Sequence, residues 1–153
     1  MEIIFKKGND KNSITCKRSD GSNTWMEASA FMVAHDLTHY VIERTLELKS
    51  GFYGLLELGF DIADFEKKLK ITPKQLPAEA IKTELLVNLI LTERNDKTEL
   101  DDFNSTFNSS AGQLGILKEE FDRNHLNRIR NHLNELLFRW GKLPVNETLV
   151  LKW

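Results

Sequence analysis

The stretch that most limits the fold is the last one, VNETLVLKW at 145–153. It alternates Leu149, Leu151 and Trp153 against Val150 and Lys152, the period-two pattern of a strand with one buried face. It stands alone after a long helical tract, and a strand cannot leave its backbone N–H and C=O groups unpaired. Its partners must come from the other end of the chain. There EIIFKK (2–7) is a short β-rich run and GNDK (8–11) a turn cluster. NSITCKR (12–18) puts Ile14 and Cys16 on one face, with Thr15 and Lys17 on the other. Asp20-Gly21 supplies the positive φ of a tight hairpin, and NTWMEA (23–28) returns as a third strand. The expected architecture is α+β: an N-terminal three-stranded antiparallel meander, joined by the C-terminal strand and packed against about four helices, in a single domain over 1–153.

Between the two ends the period turns helical. A first helix is expected from about Ser29 or Ala34 to Lys49, ended by Ser50-Gly51 with Gly51 in the left-handed cap position. Residues 51–70 mix aromatics with three glycines and read as helix with an irregular start, and ITPKQLP (71–77) as a connector. Residues 77–95 start with Pro77 in the first turn and Glu79 near the positive helix end. Their run of Leu, Val and Ile marks the most buried helix, with Leu86 and Leu89 in the core. Residues 95–113 are rich in Asn, Ser and Asp and read as a mobile loop. Residues 114–140 read as one long amphipathic helix, stopped by Gly141 and barred from continuing by Pro144. On it Arg123, Asn127, Arg130 and Asn134 form a solvated face.

Charge and cysteine usage narrow the partners. With 21 basic and 23 acidic residues the formal charge is -2, so nothing draws the chain in bulk to phosphate or anionic lipid. Neither nucleic acid nor membrane is expected as a partner. Cys16 is the single cysteine, which removes an intramolecular disulfide and any cysteine-based zinc site. MEIIFKKGNDKN does not read as a signal peptide and no apolar run approaches roughly 18 residues, so the expectation is a soluble cytoplasmic protein in which the sequons at Asn104, Asn108 and Asn146 mean little.

The chemistry-bearing stretch is HDLTH at 35–39. Histidines at i and i+4 lie about 40° apart on a helix and can direct ring nitrogens at one cation, as in the H-E-x-x-H zinc hydrolases. In those enzymes the residue after the first histidine is the base that activates metal-bound water. Here it is Asp36, with the same chemistry and one methylene less reach. The metal set read from the sequence is His35, His39 and Glu43, holding zinc or another divalent transition metal, with Asp36 as the catalytic base. Glu43 lies one turn past His39 and, at 1.5 Å per residue, roughly 12 Å above His35. A straight helix brings all three to one ion only with difficulty, so Glu57, Asp61, His125 and His132 are further candidates for a third ligand. With His35 in the first turn, the positive helix end and burial would both keep the imidazoles neutral, and metal binding would weaken below about pH 6. Against this stands a structural reading, in which HDLTH is a polar network tying helix to sheet in a non-enzymatic ligand- or protein-binding domain. GFYG (51–54) could be a binding loop or a close-packed turn, and it has no phosphate-loop pattern. His125 and His132 share a helix face with Phe121, Ile129 and Leu136, where two histidines at a core margin are the simpler account.

HDLTHYVIE, GFYGLLELGF and RWGKLPVNETLVLKW together resemble a family of small uncharacterised bacterial proteins. Its members carry H-D-L-x-H-y-x-x-E, then G-F-[YW]-G, and close on a leucine-rich strand ending in tryptophan. The likeness is strongest at 35–59 and 140–153. It implies one bacterial domain and points to His35, Asp36, His39 and Glu43, and it names no reaction.

Overall fold

In the computed structural model, which describes residues 1–66 and 76–153, strands β1 (Glu2–Lys6), β2 (Asn12–Lys17) and β3 (Asn23–Ala28) form the meander. The last strand, β4 (Thr148–Lys152), pairs antiparallel with the free edge of β1, giving the order β3-β2-β1-β4. Ile3 lies opposite Cys16 on one side and Leu151 on the other, and Phe5 opposite Ile14 and Leu149. Side chains alternate across a strand, so this register turns all six to one face, where all six are buried. Pairing continues past the strand ends: Lys7 N–H donates to the Glu147 carbonyl at 3.0 Å and Trp153 N–H to that of Met1 at 2.9 Å.

The buried sheet face is covered by α1 (Ala30–Thr45), whose N-terminus is capped by the Ser29 hydroxyl accepting from Met32 N–H at 3.2 Å. Val33, Leu37 and Val41, four apart, are fully buried. The helix ends at Thr45 rather than Lys49, and the chain reverses through Glu47, whose φ is 54°. Gly51 is not a left-handed cap; its φ is -74° and it is the N-cap of α2 (Phe52–Glu57). It is glycine because a Cβ there would collide with the Glu43 carboxylate, and Gly54 because one would strike the Lys49 carbonyl. The GFYG turn is therefore close-packed. A second short helix, α3 (Ile62–Glu66), follows, and most of the expected connector at 71–77 lies outside the described residues. In α4 (Ala78–Asp96) Pro77 is the N-cap rather than a first-turn residue. Leu86 is fully buried there and Leu89 half-buried.

Of the loop expected at 95–113, only residues 97–102 are loop. Asp102 caps α5 (Phe103–Gln113) by accepting from Ser105 N–H at 2.9 Å, and Phe103, Phe107 and Ala111, four apart, are buried on one stripe. The following helix is correspondingly shorter than 114–140: α6 spans Arg123–Lys142, with Asp122 at its N-cap. The chain before it is held to α5 by two side-chain amides. Asn104 takes Phe121 N–H at 2.9 Å and donates to its carbonyl at 3.2 Å, and Asn108 takes Glu119 N–H at 2.8 Å. These bonds satisfy the backbone there in place of helical ones. Helix α6 continues through Gly141 and ends at Leu143, before Pro144, where Lys7 Nζ donates to the carbonyls of Trp140, Gly141 and Leu143 at 3.1, 3.1 and 2.9 Å. Arg130 is not solvated but pairs bidentately with the buried Glu93 carboxylate at 2.9 and 2.8 Å. Helix α1 lies against α4 and α6, which places α4 beside the two histidines. Among the described residues no helix is long and apolar enough to cross a membrane.

Candidate metal centre

Residues 35 and 39 are one turn apart on α1, and both imidazoles face α4. Their ring centroids are 4.8 Å apart. Glu84 on α4 reaches between them: its Oε1 is 3.4 Å from His35 Nε2 and its Oε2 is 3.1 Å from His39 Nε2. One ligand atom from each of these residues can be chosen so that all lie within 4.8 Å of one another, the one such group of three among the described residues. Donor atoms about 2.0–2.1 Å from a tetrahedral zinc stand roughly 3.3 Å apart. The Nε2-to-carboxylate separations already match that spacing.

Each ring meets a second carboxylate at its other nitrogen. Asp36 Oδ1 is 3.2 Å from His35 Nδ1, and Glu43 Oε1 is 3.4 Å from His39 Nδ1. The second pair is within ion-pair reach but lacks hydrogen-bond geometry, which leaves His39 Nδ1 without a bonded partner. Glu43 is fully buried and accepts from the backbone N–H groups of Tyr53 and Gly54 at 3.1 and 3.4 Å. It lies behind His39 instead of beside His35, and the carboxylate between the two rings is that of Glu84. Asp36 is bonded behind His35; its other oxygen, Oδ2, is buried and unpartnered.

Charge in this cluster is redistributed strongly. Burial pulls the His39 pKa down, but the adjacent carboxylates of Glu43 and Glu84 outweigh it and raise it to about 9. His35 is likewise lowered by burial and raised on balance by Asp36 and Glu84. The Glu84 side chain is about half exposed (51%), so what burial it has works only partly to raise its carboxyl, and the two histidines hold it below the usual carboxylate range. The expectation of a neutral imidazole therefore fails for His39 in the metal-free protein. His35 is the sixth residue of α1, past the turn where the helix end acts, and three carboxylates surround the pair.

The cluster forms one wall of a cavity of about 550 Å³ whose remaining lining, among the described residues, is apolar, including Phe31, Met32, Phe65 and Ile81. The other residues weighed as ligands are elsewhere. Glu57 accepts from Ser19 N–H at 3.3 Å, Asp61 pairs with Arg18 at 2.9 Å, and His132 packs against Tyr40 with ring centroids 6.2 Å apart. The four histidines do not converge, since His125 and His132 are outside the group of three. Glu84 is the residue that reading the sequence missed. Its signal is faint: it follows buried Ala80 by four and precedes buried Val87 by three, a carboxylate at the margin of an apolar stripe. Compared with protein-family models, with curated proteins and with solved structures, the chain matches none. The chemistry of the site is therefore argued from its geometry alone.

Proposed function

We propose that the protein binds a divalent transition metal such as zinc through His35 Nε2, His39 Nε2 and the Glu84 carboxylate. The observation that carries this is the division of labour at the rings. Both Nε2 atoms converge on one carboxylate, while each Nδ1 faces a carboxylate of its own. Histidine ligands usually have such a partner behind them, which fixes the tautomer and makes the ligating nitrogen more basic. Asp36 and Glu43 would fill that supporting role. Three protein ligands leave a coordination position for water or substrate, the arrangement of hydrolytic zinc sites. Asp36 is then a positioning residue for His35, with its free Oδ2 as the nearest candidate base.

The test is zinc titration of chelator-treated protein by calorimetry. One zinc per chain should bind, Glu84→Ala and His39→Ala should each abolish binding, and Asp36→Asn should weaken it roughly 10–100-fold. A second reading is favoured by the raised His39 pKa: a metal-free imidazolium held between Glu43 and Glu84 as a structural bridge. It predicts no heat on zinc addition.

A further inference from the structure

We infer that the cavity beside the triad takes a neutral acyl compound, an ester or amide whose apolar chain lies in the cavity and whose carbonyl oxygen meets the metal. This rests on the metal site proposed above. The volume, about 550 Å³, is that of a pocket for a small organic ligand. Among the described residues the wall is polar at one place, formed by His35, Asp36, His39 and Glu84, and apolar over the rest, with Phe31, Met32, Ile62, Phe65, Ile81 and Leu114 among its residues. A ligand that fits is therefore apolar along its length, with a donor atom at one end.

Charge selects the kind of head group. A divalent cation with two neutral imidazoles faces the carboxylates of Glu84, Asp36 and Glu43, so the centre carries about one net negative charge. Among the described residues the lining has no Lys or Arg to offset this. A free carboxylate would add a second like charge, whereas an ester or amide carbonyl adds none. The carbonyl is also the group that a Lewis-acidic metal polarises.

The experiment uses the full-length protein, zinc-loaded and zinc-free. N-phenyl-1-naphthylamine, a neutral apolar dye, reports occupation of the cavity by fluorescence and is displaced with acetamide, octanamide or octanoate. The dye should bind with or without zinc. Octanamide should displace it from the zinc-loaded protein at a concentration roughly a hundredfold or more below that of acetamide, because six further methylenes are buried. Octanoate should need at least about tenfold more than octanamide, and removing zinc should weaken octanamide about tenfold. Ile81→Trp, on the half-buried cavity wall and not a ligand, should abolish dye binding while zinc affinity is unchanged. Dye binding that survives Ile81→Trp, equal potency of the two amides, or octanoate matching octanamide overturns the inference and leaves the metal site standing. Calorimetry showing that zinc does not bind overturns both.

Discussion

A histidine buried between carboxylates ties stability to pH. In the metal-free protein His39 holds its proton up to about pH 9, against about 6.5 for an unfolded histidine. A pKa raised on folding stabilises fully below the unfolded value and less as pH rises, and the contribution is gone above the folded value. Glu43 and Glu84 supply the attraction, Asp36 adds to the field, and a protonated His35 opposes it. With chelator present, the melting temperature of the wild type should exceed that of His39→Gln most near pH 6, and the gap should close between pH 6.5 and 9. A gap that stays constant would show that His39 is neutral throughout. Zinc binding should run the other way, strengthening over the same range as the metal displaces the His39 proton. Gly51 depends on the same cluster. Gly51→Ala drives a methyl into the Glu43 carboxylate, and overpacking of a rigid site costs about 1–3 kcal/mol, readable by urea denaturation. Cys16 is buried between strand and helix with its thiol pushed up to about 12, so it should not react with Ellman's reagent until the chain unfolds.

Elements show where sequence reading succeeds and where it stops. The strands were legible because a half-buried strand writes its face every second residue, and α4 because Leu85 to Leu91 is apolar but for Asn88. The error at 95–113 has a clear cause: Phe103, Phe107 and Ala111 define a buried stripe, but the Asn and Ser between them carry a strong turn signal and weak helix propensity. Packing overrode propensity, and Asn104 and Asn108 spend their side chains on the neighbouring backbone. The boundary of α6 was lost for the same reason, since the segment before it is ordered by bonds from a different helix. Two of the three proposed ligands were legible, because His35 and His39 are local to one helix. Glu84 was not, because its place depends on α4 lying against α1, a non-local fact that spacing does not encode. Arg130 and Glu93 show the same dependence. Glu93→Ala leaves the guanidinium without its bidentate partner and frees Leu100 N–H, which donates to Glu93 at 3.0 Å. Breaking a buried pair from one side costs about 3–5 kcal/mol, which chemical denaturation would measure; a loss under about 1 kcal/mol would place the pair in effective contact with solvent.

At the scale of the whole molecule, the sheet closes the two ends of the chain on each other, and β1 is central because β4 has taken its free edge. The order has energetic consequences beyond strand pairing. Tyr40 on α1 donates its hydroxyl to the Lys152 carbonyl at 3.1 Å, and Trp153 stacks near Tyr53 with ring centroids 5.6 Å apart. The last strand thus holds α1 and α2, the elements that place His39 and its Glu43 support. Deleting residues 146–153 should remove these contacts and uncover Ile3 and Phe5, so the domain should lose cooperative melting and zinc affinity together. A finer test separates the register from the mere presence of a strand. Leu151 is 7% exposed on the core face, and its neighbour Val150 is 44% exposed on the outer face. A one-residue slip of β4 would exchange the two. Leu151→Ala should therefore cost about 2–5 kcal/mol by opening a cavity against Ile3. Val150→Ala should cost about 0.5 kcal/mol or less, as a change on a solvated face does. Equal losses from the two substitutions, measured by urea denaturation, would refute the pairing of Ile3 with Leu151 and with it the route by which the end of the chain supports the histidine pair.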